Sequence, residues 1–303
     1  MQTIGITGGT GFIGNHLANH LVSNGYKVII FTRNVAGHTA RQFIDYALWD
    51  TGSNAADMNA FRQLDGIIHL AGAGIADKRW TKDRKREIRD SRVDGTQYLV
   101  KLLKEHAPAC KTFIAASAIG YYGPDKGNSP FTETAPPYND FLSDVCVQWE
   151  QVSNDIEPEM RRVIFRFGIV LGKESGAFPQ FANPVKWGVM PVLGSGRQVI
   201  SWIHVADLAG MILFALQHAE LNGIYNAVAP QPVSQKTMMQ TIAQSLGGIR
   251  IPIPIPAAAL KLAMGEMSIE VLKSATVSCQ KIAATGFHFQ YPTIRQAVAD
   301  ILK

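Results

Sequence analysis

The chain has 303 residues, of which 47% are hydrophobic, 17% charged and 9% aromatic. This composition is typical of a globular protein and excludes a disordered, collagen-like or coiled-coil chain. The net charge is +5, and eight of the 29 lysines and arginines lie between Asp77 and Arg92. We interpret this basic stretch as a mostly solvent-facing helix, because no nucleic-acid-binding motif accompanies it.

Neither a membrane span nor a secretory signal is predicted. No apolar run approaches the roughly 20 residues of a span, and the first basic side chains follow a glycine-rich turn instead of preceding an apolar core. The three cysteines are far apart and form no C-x-x-C pair, so they indicate neither a disulfide framework nor a metal site. We expect a cytoplasmic protein, monomeric or homodimeric, with a small-molecule substrate and no nucleic-acid or membrane partner.

The first 34 residues predict a β-α-β unit, with a strand, a glycine-rich turn, a helix and a second strand at 2–7, 8–14, 15–24 and 27–32. Further apolar strands are predicted at 67–71, 112–116 and 163–167, with helices at 91–106 and 141–155. Strands that are apolar on both faces and alternate with helices indicate a parallel sheet covered on both sides. The predicted fold class is α/β, a Rossmann-like doubly wound parallel sheet.

Beyond Gly168 the architecture changes, because glycine and proline become frequent. Helices are predicted again at 205–218 and 234–246, where Ser234 is the expected N-cap. The alternation of Ile and Pro over 251–256 predicts an extended connector. We assign 1–170, with return elements at about 198–229, to the Rossmann-like domain. The remaining segments of 171–303 are assigned to a smaller C-terminal lobe that binds substrate.

The glycine-rich turn predicts a dinucleotide site. Its glycines have the spacing G-x-x-G-x-x-G, and the turn lies between a predicted strand and a predicted helix. Glycine lets the backbone approach a pyrophosphate, and the helix N-terminus offers unpaired N–H groups and a partial positive charge. The residues expected to contact the cofactor are Gly8, Thr10, Gly11, Phe12, Ile13 and Gly14.

Arg33 indicates which nicotinamide cofactor is bound. An NAD-preferring site holds the adenosine ribose with an acidic residue about 20 positions beyond the glycines, yet residues 1–44 contain no Asp or Glu. The second strand instead ends in Thr32 and Arg33, and a guanidinium there suits a 2′-phosphate. We therefore predict NADP(H). The alternative, that Arg33 is a solvated residue at a strand end, stays open.

Several motifs resemble the extended short-chain dehydrogenase/reductase superfamily, namely residues 7–14, His69-Leu70-Ala71-Gly72, Tyr122-Gly123 and residues 202–208. Others, among them Arg79-Trp80, Ser91-Arg92 and Gly265-Glu266, are similar to its atypical branch, the NAD-dependent epimerase/dehydratase-like "epimerase family" with a small extra C-terminal domain. The resemblance covers essentially the whole chain. It implies NADP as cofactor, with contacts at Thr32, Arg33, Leu70, Ala71, Glu87 and Arg92. Segments leaving the later strands add two more candidates, Gly72 and Arg166.

The superfamily's general acid/base is a Tyr whose pKa is lowered by a Lys four residues later on the same helix face. Of the eight tyrosines only Tyr122 has a lysine at that distance, Lys126. The residues between them, Gly123-Pro124-Asp125, predict a turn and not a helix. The match therefore looks accidental.

Alignment on Glu150, as the acidic residue that ends the catalytic helix, places Leu142 at the Tyr position and Cys146 at the Lys position. Ala118 takes the place of the catalytic Ser, with Ser117 one residue earlier. The usual acid/base pair is thus expected to be missing. Candidate replacements, each more often structural than catalytic, are Ser117, Tyr121, Tyr122, Asp144, Cys146 and His204.

Trp202 and His204, two apart on an extended segment, point to the same side. The spacing alone leaves open whether that side lies in the pocket or in the core, and the resemblance implies that it faces the substrate pocket, so we expect both side chains to line the cleft. The expected substrate pocket contains Leu142, Arg197 and Trp202. The predicted function is an NADP(H)-binding oxidoreductase or isomerase, epimerase/reductase-like, acting on a small or nucleotide-linked, sugar-like substrate. The alternative is a non-catalytic NADP(H)-binding sensor or interaction protein, so the sequence leaves open whether the chain is an enzyme.

Overall fold

Strands and helices alternate through most of the computed structural model, which describes residues 1–127 and 129–303. The strands are β1 (Thr3–Thr7), β2 (Lys27–Thr32), β3 (Ile44–Asp50), β4 (Ala55–Ala56), β5 (Gly66–His69), β6 (Thr112–Ala118), β7 (Arg161–Phe167), β8 (Ile169–Leu171), β9 (Val189–Leu193), β10 (Val199–Ile200), β11 (Trp202–His204), β12 (Gly223–Ala227), β13 (Val233–Ser234) and β14 (Ile251–Ile255). The α-helices are α1 (Phe12–Ser23), α2 (Met58–Phe61), α3 (Lys82–His106), α4 (Phe141–Val152), α5 (Phe178–Lys186), α6 (Val205–Gln217), α7 (Gln235–Leu246), α8 (Ala257–Met264), α9 (Ser268–Leu272), α10 (Gln280–Ala283) and α11 (Ile294–Ile301). Short 3₁₀ helices occur at Ile119–Tyr122, Ser153–Ile156 and Gly265–Met267.

The central sheet has eight strands in the order β12-β7-β6-β5-β1-β2-β3-β4. Neighbouring strands are parallel except β3 and β4 at one edge. The strand order reverses at β1, which lies between β2 and β5, so the loops leaving the carboxyl ends of these strands diverge and open a crevice. The prediction of a Rossmann-like doubly wound parallel sheet is confirmed.

Apolar side chains cover both faces of this sheet, because successive residues of a strand point to opposite sides. On β2, Ile30 packs into a cluster with Leu17 of α1 and Leu208 of α6. The neighbouring Phe31 packs into a second cluster with Leu99 of α3. The amphipathic helices therefore form two outer layers around the sheet. Among the described residues no helix combines the length and the apolar character needed to cross a bilayer.

The later part of the chain builds a third apolar cluster, which includes Phe178 of α5, Met238 of α7 and Val298 of α11. Three two-stranded sheets accompany it, β8 with β11, β9 with β14, and β10 with β13. Segment 251–256, expected to be only a connector, supplies β14, which runs parallel to β9. The proposed domain boundary at residue 170 stays a prediction.

The starts of α7 and α3 show which helix boundaries the local sequence predicts correctly and which it does not. Ser234 caps α7 as predicted, since its hydroxyl accepts the N–H of Thr237 at 3.0 Å. By contrast α3 begins at Lys82, nine residues before the expected start at 91, with Thr81 as its N-cap. The first turns of α3 carry mostly charged side chains. The apolar periodicity by which a helix is recognised in a sequence is therefore weak there.

A buried histidine joins the ends of β1 and β5 to α3. The Nδ1 of His69 lies 2.6 Å from Thr7 Oγ1, and its Nε2 lies 2.9 Å from Thr96 Oγ1. The Thr96 hydroxyl donates its proton to the Arg92 carbonyl at 2.6 Å, so it accepts from Nε2–H and Nδ1 accepts from Thr7. The bridge fixes the two strand ends from which the glycine-rich turn and the loop at 70–72 begin.

The first turn of α1 lies directly against the glycine-rich turn. A Cβ added at Gly14 would lie 2.3 Å from the Gly8 carbonyl oxygen and 2.5 Å from the Gly9 Cα. Both neighbours are backbone atoms, which cannot rotate away as a side chain can. Only glycine at position 14 therefore allows this approach of helix to strand.

We expect Gly14→Ala to lower the free energy of unfolding by about 1–3 kcal/mol, because the backbone must shift to admit the methyl group. Gly95→Ala is the matched control: it is also helical, but its Cβ would meet only Trp49 and Thr51 atoms at 3.8 Å. That variant should gain roughly 0.5–1 kcal/mol from helix propensity. Urea denaturation measures both changes. An unchanged stability of Gly14→Ala would contradict the close approach.

His69 should make folding stability fall in acid. Burial, with the nearby charge of Arg92, lowers the pKa of His69 to about 3, whereas the unfolded chain titrates near 6.5. Between about pH 6.5 and 3 the unfolded state therefore binds the extra proton, and stability falls as the pH drops. His69→Gln should weaken this dependence in urea denaturation at pH 7.5 and pH 5. The exposed His288→Gln should leave it unchanged, and equal slopes in both variants would refute the assignment.

Candidate functional site

The glycine-rich turn forms a cradle at the N-terminus of α1. No side chain caps this helix at Gly11, so its first N–H groups are left for another acceptor. Gly8 has a φ of 70°, and a Cβ there would lie 2.9 Å from Ala71 N. A Cβ at Gly11 would meet only the Gly8 carbonyl oxygen, at 3.3 Å. The outer side of the turn is open, and this arrangement fits a pyrophosphate.

Phe12 takes part in this cradle through its backbone. Its ring is turned to the loop after β8, where a Cβ at Gly172 would lie 2.3 Å from Phe12 Cζ. Ile13 is half-buried beside the first apolar cluster, and Thr10 is exposed at the tip of the turn. The side chain of Phe12 therefore ties the turn to the β8 loop while its N–H faces the open side.

Two guanidinium groups flank the end of β2 and the start of α1. Arg33 follows Thr32 and is exposed, and within the described residues it forms no ion pair. Arg41, which the sequence analysis did not single out, donates to Asn15 Oδ1 in the first turn of α1 at 3.4 Å. The only sequence signal for Arg41 is the absence of acidic residues in 1–44. Together the two cations fit a phosphate on the adenosine ribose.

Arg92 braces the loop that follows β5. Its Nη1 donates to the Ala73 carbonyl at 3.0 Å, and its Cζ lies 5.2 Å from the centroid of the Trp149 ring. A Cβ at position 72 would lie 3.2 Å from that Cζ. The guanidinium therefore supports the backbone of the predicted contact residues Leu70, Ala71 and Gly72.

Two further predicted residues lie on the surface. The exposed Glu87 carboxylate accepts from Arg84 Nη1 at 2.6 Å on the face of α3. Arg197 is exposed as well, and its backbone N–H donates to Ser195 Oγ at 3.2 Å. The structure gives neither side chain a contact with the glycine cradle.

A buried polar network lies at the carboxyl ends of β6 and β7. Arg166 donates through Nε and Nη2 to the two carboxylate oxygens of Glu150 at 2.8 and 2.7 Å, and the Ser117 hydroxyl donates to the same carboxylate at 2.6 Å. Arg166 Nη1 donates to the Tyr122 hydroxyl at 2.9 Å, which in turn donates to Asn226 Oδ1 at 2.6 Å. The network joins five elements, which are α4, β6, β7, β12 and the 3₁₀ helix Ile119–Tyr122.

Tyr122 and Lys126 do not share a helix face. Gly123, with φ 69°, ends the short helix directly after Tyr122, and Lys126 Nζ lies 5.2 Å from the centroid of the Tyr138 ring instead. Burial raises the pKa of Tyr122 to about 12, although the contact with Arg166 opposes this. Tyr122 is therefore a neutral phenol at physiological pH, held by structural partners.

Glu150 shares one face of α4 with Leu142 and Cys146, which lie eight and four residues before it. Leu142 is buried, and a Cβ added at Gly120 would lie 3.4 Å from the Leu142 Cβ. The Cys146 thiol donates to the Ala118 carbonyl at 3.6 Å, and burial raises its pKa to about 11. Asp144, another candidate, is exposed. Leu142 and Cys146 therefore both pack inward, against the end of β6 and the 3₁₀ helix that follows it.

Tyr121 differs from the other candidates. Its ring stacks on Arg166, whose Cζ lies 3.4 Å from the ring centroid. Its carbonyl accepts from the Tyr138 N–H at 2.9 Å and the Ser143 hydroxyl at 2.8 Å. Within the part of the chain that the structure describes, the Tyr121 hydroxyl has no hydrogen-bond partner. It is thus a half-buried phenol held in place by its ring and backbone, with its polar atom free.

Trp202 and His204 require a correction to the expected cleft. Trp202 is fully buried in the third apolar cluster, and its indole N–H donates to the Gln231 carbonyl at 2.9 Å. The buried His204 ring lies 4.0 Å from that of Tyr291, with Nε2 3.5 Å from Asp300, and burial lowers its pKa to about 4. The two side chains share one side of β11, but that side is covered by the C-terminal helices.

Comparison with known proteins agrees with this geometry. Residues 4–227 match the family model described as "NAD dependent epimerase/dehydratase family", and residues 255–301 match "Domain of unknown function (DUF1731)". The epimerase family protein YfhF of Bacillus subtilis is 36% identical over 302 residues, which cover 99% of this chain and 98% of YfhF.

Two crystal structures are also similar. The human epimerase family protein SDR39U1 (isoform 2) with NADPH has a TM-score of 0.88 and 29% identity, and the match covers 99% of each chain. The nucleoside-diphosphate sugar epimerase from Corynebacterium glutamicum has a TM-score of 0.78 and 29% identity, over 99% of this chain and 58% of that one. The chain therefore belongs to the NAD dependent epimerase/dehydratase family.

Proposed function

We propose that the chain is an NADP(H)-binding, epimerase/reductase-like enzyme that acts on a small or nucleotide-linked substrate without a Tyr-x-x-x-Lys acid/base pair. The observation that carries this proposal is the open glycine cradle at α1 with Arg33 and Arg41 beside it. NADP(H) carries two anionic groups, a pyrophosphate and a 2′-phosphate. The glycine cradle suits the pyrophosphate, and the two guanidinium groups suit the 2′-phosphate. The human relative that matches across the whole chain was crystallised with NADPH.

Each part of this site has a separate task. The N–H groups at the start of α1 bind the pyrophosphate, Arg33 and Arg41 bind the 2′-phosphate, and the loop braced by Arg92 borders the crevice. Bound NADPH would supply a hydride from C4 of its nicotinamide. The crevice at the strand reversal is where a parallel sheet of this order places its ligand.

A proton for a substrate oxygen must come from a donor other than the Tyr and Lys that the superfamily uses. Leu142 carries no proton donor, and the Cys146 thiol is buried and bonded to a backbone carbonyl. Ser117 and Tyr122 are engaged with Glu150 and Arg166. The Tyr121 hydroxyl and water are the remaining donors near the end of β6.

Leu142 and Cys146, which stand at the Tyr and Lys positions of α4, favour a second candidate, a non-catalytic NADP(H)-binding protein. Such a protein would keep the cradle and need no proton donor. The two candidates share the cofactor and differ in turnover, so a cofactor measurement tests what they have in common.

We expect Arg33→Ala to weaken NADPH binding by roughly ten- to hundredfold, because a charge-assisted hydrogen bond to the 2′-phosphate is lost. NADH binding should stay the same, since NADH lacks that phosphate. Calorimetric titration of both cofactors measures the difference. The exposed Arg295→Ala is the control and should leave both affinities unchanged. Equal affinities of the native chain for NADPH and NADH would contradict the proposed NADP(H) site.

A further inference from the structure

One face of the β9–β14 pair is apolar and partly exposed to solvent. The register pairs Val189 with Ile251, Pro191 with Ile253, and Leu193 with Ile255. Because side chains alternate along a strand, these six residues share one face, while Met190 on the opposite face is buried in the C-terminal core. The exposed fraction is 62% for Ile251 and 43% for Ile253. An ordinary sheet would bury such a face.

Trp187 and Ile249 lie next to this strand pair at one end, where Trp187 ends α5 and Gly188, with a φ of 85°, leads into β9. Each precedes the register pair Val189 and Ile251 by two residues, and the Ile251 N–H donates to the Gly188 carbonyl at 2.9 Å. Trp187 is 87% exposed and Ile249 is 88% exposed. We call Trp187, Ile249, Ile251 and Ile253 the ribbon patch. Contiguous exposed apolar groups of this kind mark an interaction surface.

The open edge of β14 does not suit an added strand. The Ile251 N–H points to β9, so the nitrogens of the alternate residues, Pro252 and Pro254, point to the open edge. Proline has no N–H to donate, so a further strand would find no donors at those positions. The occupant of the ribbon patch must therefore be recognised through its apolar face.

The two chain segments that carry the ribbon patch contain cations and no acidic residue. The sequence has no Asp or Glu between positions 175 and 206 or between 221 and 265. Lys186 precedes Trp187, Arg250 lies between Ile249 and Ile251, and α8 carries Lys261. Across the described ranges 1–127 and 129–303, none of these three cations forms an ion pair.

Two copies of this surface would repel each other. A symmetric dimer through the ribbon patch would bring the same cations face to face with no acidic partner. An anionic bilayer surface suits both features, because apolar side chains insert at the headgroup boundary while lysine and arginine meet the phosphates. Trp is the side chain that membrane interfaces favour. Helix α8, which follows β14, buries none of its residues and exposes 82% of Leu262.

We propose that the ribbon patch docks the protein on an anionic lipid surface. This departs from the sequence expectation of no membrane partner, which considered spanning segments alone. The proposal is independent of the cofactor and of catalysis. It predicts that the full chain binds vesicles through Trp187 and Ile251.

The test is cosedimentation of the full chain with vesicles of phosphatidylcholine alone and of equimolar phosphatidylcholine and phosphatidylglycerol. We expect binding to the anionic vesicles, weakened by added salt, and little to the neutral ones. Trp187→Ser combined with Ile251→Ser should lower the partition coefficient at least about tenfold. Phe43→Ser is the apolar control, since Phe43 is 43% exposed and lies more than 100 positions before the ribbon patch in the sequence. Lys186→Glu should also weaken binding, and the exposed Lys101→Glu should not.

Three results would overturn the proposal. Equal binding of the native chain to both vesicle types would contradict a role for the positive charges. Unchanged binding of the double serine variant would show that the ribbon patch is not the docking surface. A dimer in light scattering that the double variant abolishes, with no vesicle binding, would assign the patch to a second copy of the chain.

Discussion

The ion pair between Arg166 and Glu150 is the interaction that holds α4 to the carboxyl ends of β6 and β7, where the catalytic candidates lie. Burying two charges is costly, and the cost is offset only when the geometry is bidentate and the remaining groups are hydrogen-bonded. Here Ser117 and Tyr122 complete those bonds. The pair thereby holds α4 against β6 and β7, and it engages the hydroxyls of two catalytic candidates, Ser117 and Tyr122.

The cofactor crevice is built separately from this network. The His69 bridge fixes the ends of β1 and β5, and the close approach at Gly14 fixes α1 against them. The crevice therefore keeps its shape whatever chemistry takes place at the end of β6. This separation explains how a family member can retain a dinucleotide cradle while α4 presents Leu142 and Cys146 at the neighbouring strand.

Local patterns predicted the sheet, the glycine turn and the Ser234 cap, because each depends on residues close together in the chain. Side-chain alternation placed Trp202 and His204 on one side, but which layer covers that side depends on α7 and α11, far along the sequence. The buried network was missed for the same reason, since Tyr122 and its partner Asn226 are 104 positions apart. Domain limits and substrate residues depend on such long-range packing as well.

The proposal that the protein works without a Tyr/Lys pair depends on Tyr122 being a buried, neutral phenol. The most direct measurement is a pH titration of ¹³C-labelled tyrosine by NMR, with the Tyr122 signal assigned through Tyr122→Phe. The structure predicts that this signal stays that of the neutral phenol from pH 6 to pH 9, because burial raises the pKa of Tyr122 to about 12. A Tyr122 signal that ionises near pH 7 would contradict the account, since a phenolate formed at that pH is the property of a general acid/base.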